Sequence, residues 1–386
     1  MKLKALDQRQ AGILLPLFSL PGKHGIGDLG KEAYEFITNL NCKNKNENNL
    51  IYNITSYTPK KYITNDTLTE LPSSLQNTVQ QYFKSENVLI FISACGIAVR
   101  SIAPFVKNKT TDPCVLVIDE LGQFVISLLS GHIGCGNDFT KKIAKLINAA
   151  PIISTATDLN NKFSVDVFAR KNNLFINNIN IAKDISASIL NDVEVGLFAD
   201  YNIELNGNIP TELTLINKQE CKVKTTDNFP ITTLEYGFTI SAFINCNVFI
   251  HTLNLIPRQV VIGIGCKRNT SPQLLSDFVK NTLDKYNISP KAVAAITSID
   301  IKKNENAIIE LSKEYNCPFV TYSADTLRNV SGQFSHSDFV ANVTGVDNVC
   351  ERATMCYSKA EELFLPKTKG DGVTIALSFL KMNICF

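Results

Sequence analysis

Short apolar runs alternate with amphipathic stretches along most of this chain. Residues 87–93 read NVLIFIS, an apolar run of the length expected for a buried strand. Two further runs, VLVI and QFVISLL, flank residues 119–122, DELG, and the glycine at the end of that loop is typical of a hairpin. Residues 94–96, ACG, are predicted to turn into a helix over the stretch IAVRSIAPFV, which ends around Pro104. The pattern predicts an α/β domain over residues 50–159.

The last part of this domain is predicted as a helix followed by a strand. Residues 137–150, NDFTKKIAKLINAA, carry apolar side chains at helical spacing, namely Phe139, Ile143, Leu146 and Ile147. Asn137 or Asp138 is expected to cap this helix. The final strand, residues 151–158, reads PIISTATD and is predicted to end in a polar turn.

Polar segments divide the chain further. Residues 41–49, NCKNKNENN, separate residues 1–41 from the α/β domain. Residues 160–256 are rich in polar and turn-forming side chains, which predicts a smaller, irregular middle domain. The apolar run QVVIGIG begins at Gln259 and starts a new alternation of strands and helices over residues 257–386. The predicted fold class is α/β, with two sheet-containing α/β domains joined by the middle domain.

Composition excludes several classes of partner. A net charge of +2 gives no overall basic field, so neither nucleic acid nor a membrane is expected. The 11 cysteines form no C-x-x-C pair, which argues against a structural zinc site and favours a reducing, cytoplasmic location. The chain has no apolar run of the ~18 residues that a membrane-spanning helix needs.

Two glycine-containing turns follow predicted strands. They are residues 94–96, ACG, and residues 130–137, SGHIGCGN, which contain one of only four histidines. Ligands of open α/β sheets collect at the carboxyl ends of strands, where the N–H groups of the following helices point outward. We therefore predict two anion-binding turns, whose binding residues are Gly96 in the first turn and Gly131, Gly134 and Asn137 in the second.

Long stretches of the sequence resemble one known family over residues 50–386. The run FISACGIAVRSIAPFV, continued through SGHIGCGNDFTKKIAKLINAAPIISTATD, is similar to the amino-terminal domain of the cobalt-precorrin-5A hydrolases. The segments VVIGIGCKRNTS, AAITSIDIKKNE, VTGVDNVCERA and LPKTKGDGVTIALS are similar to their carboxyl-terminal domain. The chain departs from the family at Cys135, where Gly-Gly is usual, and at Arg352, where Glu-Pro is usual.

Residues 1–40 resemble a different family. The stretch RQAGILLPLFSLPGKHGIGDLGKEAYEFITNL is similar to the start of the 4-alpha-glucanotransferases (amylomaltases). About 40 residues cannot close a (β/α) barrel that takes about 250, so no transferase activity is expected. We interpret residues 1–41 as a fusion remnant and expect their deletion to leave stability and activity unchanged.

The first resemblance implies a function. It implies a hydrolase that opens the lactone ring of cobalt-precorrin-5A and releases acetaldehyde in anaerobic cobalamin biosynthesis. Cobalt would arrive with the corrinoid, so no protein-bound metal and no cofactor are expected. It also implies that the corrinoid lies in a cleft between domains and that neighbouring pathway enzymes are further partners. The alternative is a non-catalytic corrinoid-binding or chaperoning protein of the same pathway.

Lactone opening needs a base that activates water and donors for the developing oxyanion. His132 is a candidate base because its ordinary pKa is near neutrality; the alternative is a histidine that bonds its own loop. Glu120 and Glu351 are further acid/base candidates. For Glu120 the alternative is a solvated turn, and for Glu351 it is an acid in the first turn of a helix.

Cations are the expected partners of the acetate and propionate arms that the resemblance implies. Arg100, on the helix after ACG, is one candidate, with a surface salt bridge as its alternative. A helix start is predicted at residues 270–272, and the two basic residues before it are candidates as well. The full candidate set is Arg100, Lys267, Arg268, Lys367 and Lys369. For the lysines the alternative is simple solvation.

Overall fold

A computed structural model describes residues 13–16, 55–58, 60, 69–72, 74–85, 87–109, 111–132, 134–160, 162–200, 202–216 and 232–386. The chain divides into two compact units, Met1–Lys162 and Phe163–Phe386. The predicted α/β class is confirmed, because each unit combines helices with parallel or mixed sheets. No helix within the described ranges is both long enough and apolar enough to cross a bilayer.

The first unit is built on a seven-stranded sheet. Its elements are β1 (Ile13–Pro16), β2 (Thr55–Thr58), β3 (Thr69–Glu70), α1 (Leu75–Tyr82), β4 (Val88–Ile92), α2 (Cys95–Ile102), β5 (Cys114–Ile118), β6 (Phe124–Leu129), α3 (Gly136–Leu146), β7 (Ala150–Ile152) and α4 (Ala156–Leu159). The strand order is β3-β2-β1-β4-β5-β6-β7. The strands β4, β5 and β6, the hairpin loop and the helix before Pro104 match the sequence predictions.

The end of this unit departs from the predictions in three places. The strand predicted over 151–158 ends at Ile152. Among the described strands, β7 is a short edge strand that pairs with β6. The residues of α4 follow it, so the second half of the predicted strand is a turn and a short helix. The N-cap of α3 is Cys135, so Asn137 and Asp138 lie in its first turn instead. Leu146 is 40% exposed and does not share the buried face of α3 with Phe139 and Ile143.

The hairpin between β5 and β6 reverses the direction of the strands. Strands β4 and β5 are parallel, β5 and β6 are antiparallel, and β6 and β7 are parallel. The turn after β4, which contains Gly96, therefore lies at one edge of the sheet, and the turn after β6 lies at the opposite edge. The hydroxyl of Ser130 donates to the carbonyl of Asp112, just before β5 begins, at 3.1 Å. The two predicted anion-binding turns thus lie at opposite edges of the sheet.

Strand β1 lies inside the sheet, between β2 and β4. Its backbone pairs in parallel with β4 over the four positions of residues 13–16 and with β2 at two of them. The expectation that residues 1–41 stand apart from the following domain is therefore wrong for this strand. The remainder of that segment lies outside the described residues.

The second unit contains two five-stranded sheets and a two-stranded ribbon. The elements up to residue 256 are α5 (Val165–Lys171), β8 (Phe175–Ile176), α6 (Ile179–Leu190), β9 (Val195–Ala199), β10 (Ile203–Asn206), β11 (Leu213–Leu215), β12 (Tyr236–Ile240) and β13 (His251–Ile256). Those after it are β14 (Val260–Cys266), α7 (Pro272–Lys285), β15 (Val293–Ile299), α8 (Asn306–Glu314), β16 (Phe319–Tyr322), α9 (Ala324–Arg328), α10 (Asp338–Thr344), α11 (Cys350–Ser358), β17 (Leu365–Gly370), β18 (Val373–Phe379) and β19 (Met382–Cys385).

The middle segment is more regular than its polar composition indicates. Its sheet has the order β11-β9-β12-β13-β8, and all pairs except β13–β8 are parallel. The ring of Phe249 covers Gly196 and Gly237, where a Cβ atom would lie only 2.0 and 2.4 Å from ring carbons. The chain end returns to this segment, because β19 pairs with β10 and the ring of Phe386 stacks on Phe168 at 4.7 Å.

The second sheet of this unit lies between two helical layers. Its order is β16-β15-β14-β18-β17, and β14 to β16 are parallel. Ile262 and Ile264 of β14 share a core cluster with α7 and α8. The intervening residues face α11: Gly263 would clash with the carbonyl of Cys350 if it carried a Cβ, and the carbonyl of Val261 accepts from Thr354. The predicted helix start at residues 270–272 is confirmed by α7.

The position of β1 predicts that the amino-terminal segment contributes to stability. Deleting residues 1–41 removes a strand from the interior of the sheet and exposes the edge of β4, whose residues are all buried. We expect the melting temperature to fall by about 5 °C or more, since about 1 kcal/mol corresponds to a few degrees in a unit of this size. Deleting residues 1–10, which leaves β1 intact, is the matched control. An unchanged melting temperature after the longer deletion would contradict the pairing.

Candidate functional site

The loop between β6 and α3 is closed by its own backbone. The N–H of Cys135 donates to the carbonyl of His132 at 3.0 Å, and the N–H of Gly136 donates to the carbonyl of Ser130 at 3.1 Å. Ser130 and Cys135 adopt left-handed φ values of 57° and 65°. Cys135 thus takes a conformation that glycine accepts more readily.

The glycines of this loop are needed for its internal packing. A Cβ on Gly131 would lie 2.6 Å from Oδ1 of Asn137, and one on Gly134 would lie 2.4 Å from Cβ of Ser130. The space that each glycine leaves open is therefore filled by the loop itself. This argues against the expected role of Gly131 and Gly134 as binding residues of an anion-binding turn.

The imidazole of His132 is held by residues that follow β7. Its Nε2 lies 2.9 Å from Oδ2 of Asp158 and 3.2 Å from Oγ1 of Thr157. The other carboxylate oxygen of Asp158 accepts from Nζ of Lys141 on α3 at 3.2 Å. The side chains of His132 and Asp158 are 13% and 24% exposed, so the pair lies near the surface without being freely solvated.

Asp158 is the ionised member of this pair. Burial raises the pKa of Asp158, but the hydrogen bonds from His132 and Lys141, with the positive charge on those groups, outweigh burial and hold the pKa below its usual value. Asp158 is therefore ionised at neutral pH and can only accept hydrogen bonds. It therefore faces Nε2 of His132 as a negatively charged acceptor.

Asn137 is almost completely buried beside this pair, at 4% exposure. Its amide nitrogen donates to Oδ2 of Asp158 at 2.8 Å and to Oγ1 of Thr155 at 2.9 Å. Its amide oxygen accepts from the hydroxyl of Ser127 at 2.7 Å. Both amide hydrogens are thus used within the protein, which corrects the expectation that Asn137 binds substrate.

Glu120 does not come near His132. It is exposed in the hairpin loop before β6, whereas His132 follows the other end of that strand. Six residues at about 3.3 Å each separate the two ends by about 20 Å. The neighbouring Asp119 closes the hairpin by accepting from the backbone N–H groups of Leu121 and Phe124. The solvated-turn alternative is therefore favoured for Glu120.

Arg100 and Gly96 lie together at the sheet edge opposite to His132. A Cβ on Gly96 would lie 3.5 Å from the guanidinium of Arg100, so this side chain folds back over the first turn of α2. Both residues are exposed, and no ion pair involves Arg100 among the residues that the structure describes. The anion-binding role of Arg100 and its alternative, a surface salt bridge, both stay predictions.

Glu351 is enclosed by donors of its own unit. It is 1% exposed. Its carboxylate accepts from the N–H of Ser335 (2.8 Å), the hydroxyl of Ser335 (2.8 Å), the amide of Asn348 (2.6 Å) and the N–H of Lys367 (2.6 Å). It thereby joins the start of α11 to a loop and to β17. This corrects the acid/base expectation, because a carboxylate enclosed in this way has no open path to a substrate.

The start of α11 also accommodates the second departure from the family pattern. The helix begins at Cys350, with Arg352 in its first turn where proline is usual. The guanidinium of Arg352 donates to both carboxylate oxygens of Asp347, at 2.7 and 3.2 Å, and lies over the ring of Phe334 at 4.5 Å. Arg352 therefore ties the first turn of α11 to Asp347, which precedes the helix.

Three of the predicted cations come together at the carboxyl edge of the second sheet. Strands β14 and β17 both end there, each pairing with the intervening β18. Lys267 and Arg268 follow β14, Lys369 lies near the end of β17, and all three are exposed. The backbone N–H of Lys267 donates to the carbonyl of Gly372 in the turn between β17 and β18, at 3.3 Å. Lys367 is half-buried two residues earlier.

Sequence reasoning missed the residues around His132. Asp158 and Thr157 contact its ring directly. Lys141 bonds Asp158, and Ser127 and Thr155 bond Asn137. On its own, the segment STATD is typical of a polar turn at the end of an isolated strand. The missing information was the pairing of β7 with β6 in parallel, which brings the carboxyl ends of both strands to one edge. A polar run after each of two parallel neighbouring strands is the signal that could have found the pair.

Comparisons with known proteins match both units. The family described as "Cobalamin synthesis G N-terminal" matches residues 77–158, which include His132 and Asp158, and "Cobalamin synthesis G C-terminus" matches residues 260–378. The chain is 34% identical over 313 residues to the cobalt-precorrin-5A hydrolase of Salmonella typhimurium, covering 78% of this chain and 84% of that protein. It is 32% identical over 315 residues to the cobalt-precorrin-5A hydrolase of Priestia megaterium, covering 80% and 82%. It is 27% identical over 306 residues to the probable cobalt-precorrin-5A hydrolase of Methanocaldococcus jannaschii, covering 76% and 86%.

The enclosure of Glu351 predicts that its substitution affects stability first. Glu351→Gln places an amide N–H₂ against donors, and we expect the free energy of unfolding to fall by about 2 kcal/mol or more, as measured by urea denaturation. The exposed Glu362→Gln is the matched control and should change it by less than about 0.5 kcal/mol. Unchanged stability combined with lost turnover in Glu351→Gln would restore the acid/base assignment.

Proposed function

This chain belongs to the cobalt-precorrin-5A hydrolase family, and we propose that it opens the lactone ring of cobalt-precorrin-5A and releases acetaldehyde, giving cobalt-precorrin-5B in anaerobic cobalamin biosynthesis. Identity of 32–34% over most of the chain supports the reaction. The observation that carries the chemistry is the His132–Asp158 pair, which holds an imidazole beside an ionised carboxylate near the surface of the first unit.

His132 is the base of the proposed reaction. Its imidazole takes one proton from water as the water oxygen forms the new bond to the lactone carbonyl carbon. The ester C–O bond then breaks, which leaves a carboxylic acid that keeps the second water proton and an alkoxide on the two-carbon fragment. This alkoxide becomes the carbonyl of acetaldehyde as the carbon–carbon bond to the macrocycle breaks, and the macrocycle carbon that keeps the electron pair takes the proton back from the imidazolium. Asp158 stabilises the imidazolium that forms in the first step.

The substrate's carboxylate arms need cations. The exposed group formed by Lys267, Arg268 and Lys369 supports binding of these arms by the second unit, and Arg100 is the candidate in the first. The half-buried Lys367 is a further candidate through its side chain. Because cobalt is carried by the substrate, the proposed reaction uses no cofactor of the protein. Cytoplasmic location and contact with neighbouring pathway enzymes remain parts of the proposal.

The similarity of residues 1–40 to glucanotransferases supports a separate origin for that segment. We propose that it is a fusion remnant whose residues 13–16 have become a strand of the hydrolase sheet. The barrel that transferase activity requires would need about 250 residues, so no sugar chemistry is proposed.

The proposal predicts a product that a binding protein would not form. Anaerobic incubation of the purified chain with cobalt-precorrin-5A should release one acetaldehyde per corrinoid, measured by coupling to an NADH-dependent alcohol dehydrogenase. Tight binding of the corrinoid without acetaldehyde would instead support the alternative, a carrier or chaperone of the same pathway.

The role of His132 predicts a difference between two of its substitutions. His132→Ala should lower turnover by about a hundredfold or more, with little change in corrinoid binding, since general acid/base catalysis contributes about 10²–10⁴-fold. His132→Asn can form hydrogen bonds but cannot take a proton at neutral pH, so its turnover should be almost as low. Near-normal turnover of His132→Asn would show that the histidine only orders its loop.

The cation group predicts a salt-dependent effect on binding. Arg268→Ala and Lys369→Ala should each raise KM by about two- to fivefold with kcat little changed, because exposed ion pairs are worth about 1 kcal/mol or less. The effect should shrink as ionic strength rises. Lys280→Ala, an exposed lysine on α7, is the matched control. Equal KM values for all three variants would exclude this edge from substrate binding.

A further inference from the structure

We propose that Ile301, Phe339 and Val343 form the surface on which the flat, apolar face of the corrinoid macrocycle rests. The inference rests on the proposed function, which supplies the corrinoid. It adds a place for the macrocycle to the place already proposed for its carboxylate arms. These three residues, named here the apolar edge group, all belong to the second unit.

Large apolar side chains are strongly exposed at few places in the last part of the chain. Within residues 257–386, all of which the structure describes, they are Ile301, Phe339 and Val343, at 65%, 78% and 62% exposure. Apolar side chains that are scattered singly over a surface are ordinary, whereas a group of them marks an interaction site. The position of the three residues in the fold therefore decides what they mean.

All three residues lie at the carboxyl edge of the sheet with the order β16-β15-β14-β18-β17. Ile301 is the second residue after the end of β15. Phe339 and Val343 lie on α10, in the segment that follows β16, and their spacing of four residues puts them on one face of the helix. The helix is anchored at this edge, because Val340 packs against the cluster that contains Ile299, the last residue of β15.

The cation group of the proposed function lies at the same edge, where β14 and β17 end. A direct contact joins the segment before α10 to β17. The carboxylate of Glu351 accepts from the N–H of Ser335 at 2.8 Å and from the N–H of Lys367 at 2.6 Å. Lys369 follows two residues later. The apolar edge group and the cation group therefore share one edge of one sheet.

This combination fits a small amphipathic anion better than a second protein. A stable protein interface buries about 800 Å² on each partner. One phenylalanine buries about 150–250 Å² at most, so three side chains fall well short of that area. The acid beside Phe339, Asp338, bonds the ring of His336 at 2.9 Å. The proposed substrate has the matching chemistry, because its macrocycle has apolar faces and a rim of carboxylate arms.

Two stable cobalt corrinoids test this surface without turnover. Cobyrinic acid has free carboxylate arms and cobinamide has amide arms, and each is titrated into the full-length protein by calorimetry. Phe339→Ala should raise the Kd of both corrinoids by about five- to tenfold, because an aromatic ring is removed from the macrocycle face. Lys369→Ala should raise only the Kd of cobyrinic acid, and this effect should shrink as ionic strength rises.

A matched control separates this surface from exposed apolar side chains in general. Ile250 lies in the middle segment of the same unit and is 55% exposed. Ile250→Ala should leave the Kd of both corrinoids unchanged, and all of these variants should keep the native melting temperature because the side chains are exposed. Unchanged Kd values in both Phe339→Ala and Val343→Ala would overturn the proposal. A dimer, seen by sedimentation, that Phe339→Ala abolishes without changing either Kd would overturn it in favour of a second copy.

Kinetics with cobalt-precorrin-5A separate this inference from the proposed function. Phe339→Ala should raise KM by about the same factor as Kd and leave kcat within about twofold, since the removed contact is made in both the ground state and the transition state. Corrinoid binding that Phe339→Ala weakens, in a native protein that releases no acetaldehyde, would support the surface and overturn the reaction. Acetaldehyde release with native KM in Phe339→Ala and Val343→Ala would overturn the surface and leave the reaction standing.

Discussion

The parallel pairing of β6 with β7 is the constraint on which the candidate site depends. The hairpin after β5 reverses the chain, and β7 then follows the direction of β6, so both strands end at the same edge. His132 follows one of these strands and Asp158 the other, 2.9 Å apart. The pair forms because two short strands share a direction.

Glu351 and Asp158 each accept several hydrogen bonds, but the two carboxylates differ in burial. Glu351 is 1% exposed and its contacts join three segments of one unit. Asp158 is 24% exposed and one of its contacts is a titratable ring near the surface. The carboxylate of Glu351 is enclosed by backbone and side-chain donors that join parts of the fold, whereas the carboxylate of Asp158 is partly exposed and contacts a titratable ring.

Strand positions in the first unit could be predicted because their apolar runs are continuous and separated by turn residues, as in residues 87–93 and the hairpin at 119–122. The direction of the strands could not, since nothing local in VLVI or API encodes which neighbour each will join. The candidate site could likewise be predicted only in part. His132 was visible from its glycine turn, but Asp158 lay 26 residues away along the chain and became its partner only through the sheet.

Asp158→Asn tests the central claim most directly, namely that His132, paired with an ionised carboxylate, acts as the base of the hydrolysis. The substitution keeps the shape of the side chain but removes the negative charge that would stabilise the imidazolium. The account predicts that the single-turnover rate of acetaldehyde release falls by about 10²–10⁴-fold at neutral pH, the range of a general base, with corrinoid binding retained. A single-turnover rate equal to that of the native protein would contradict it.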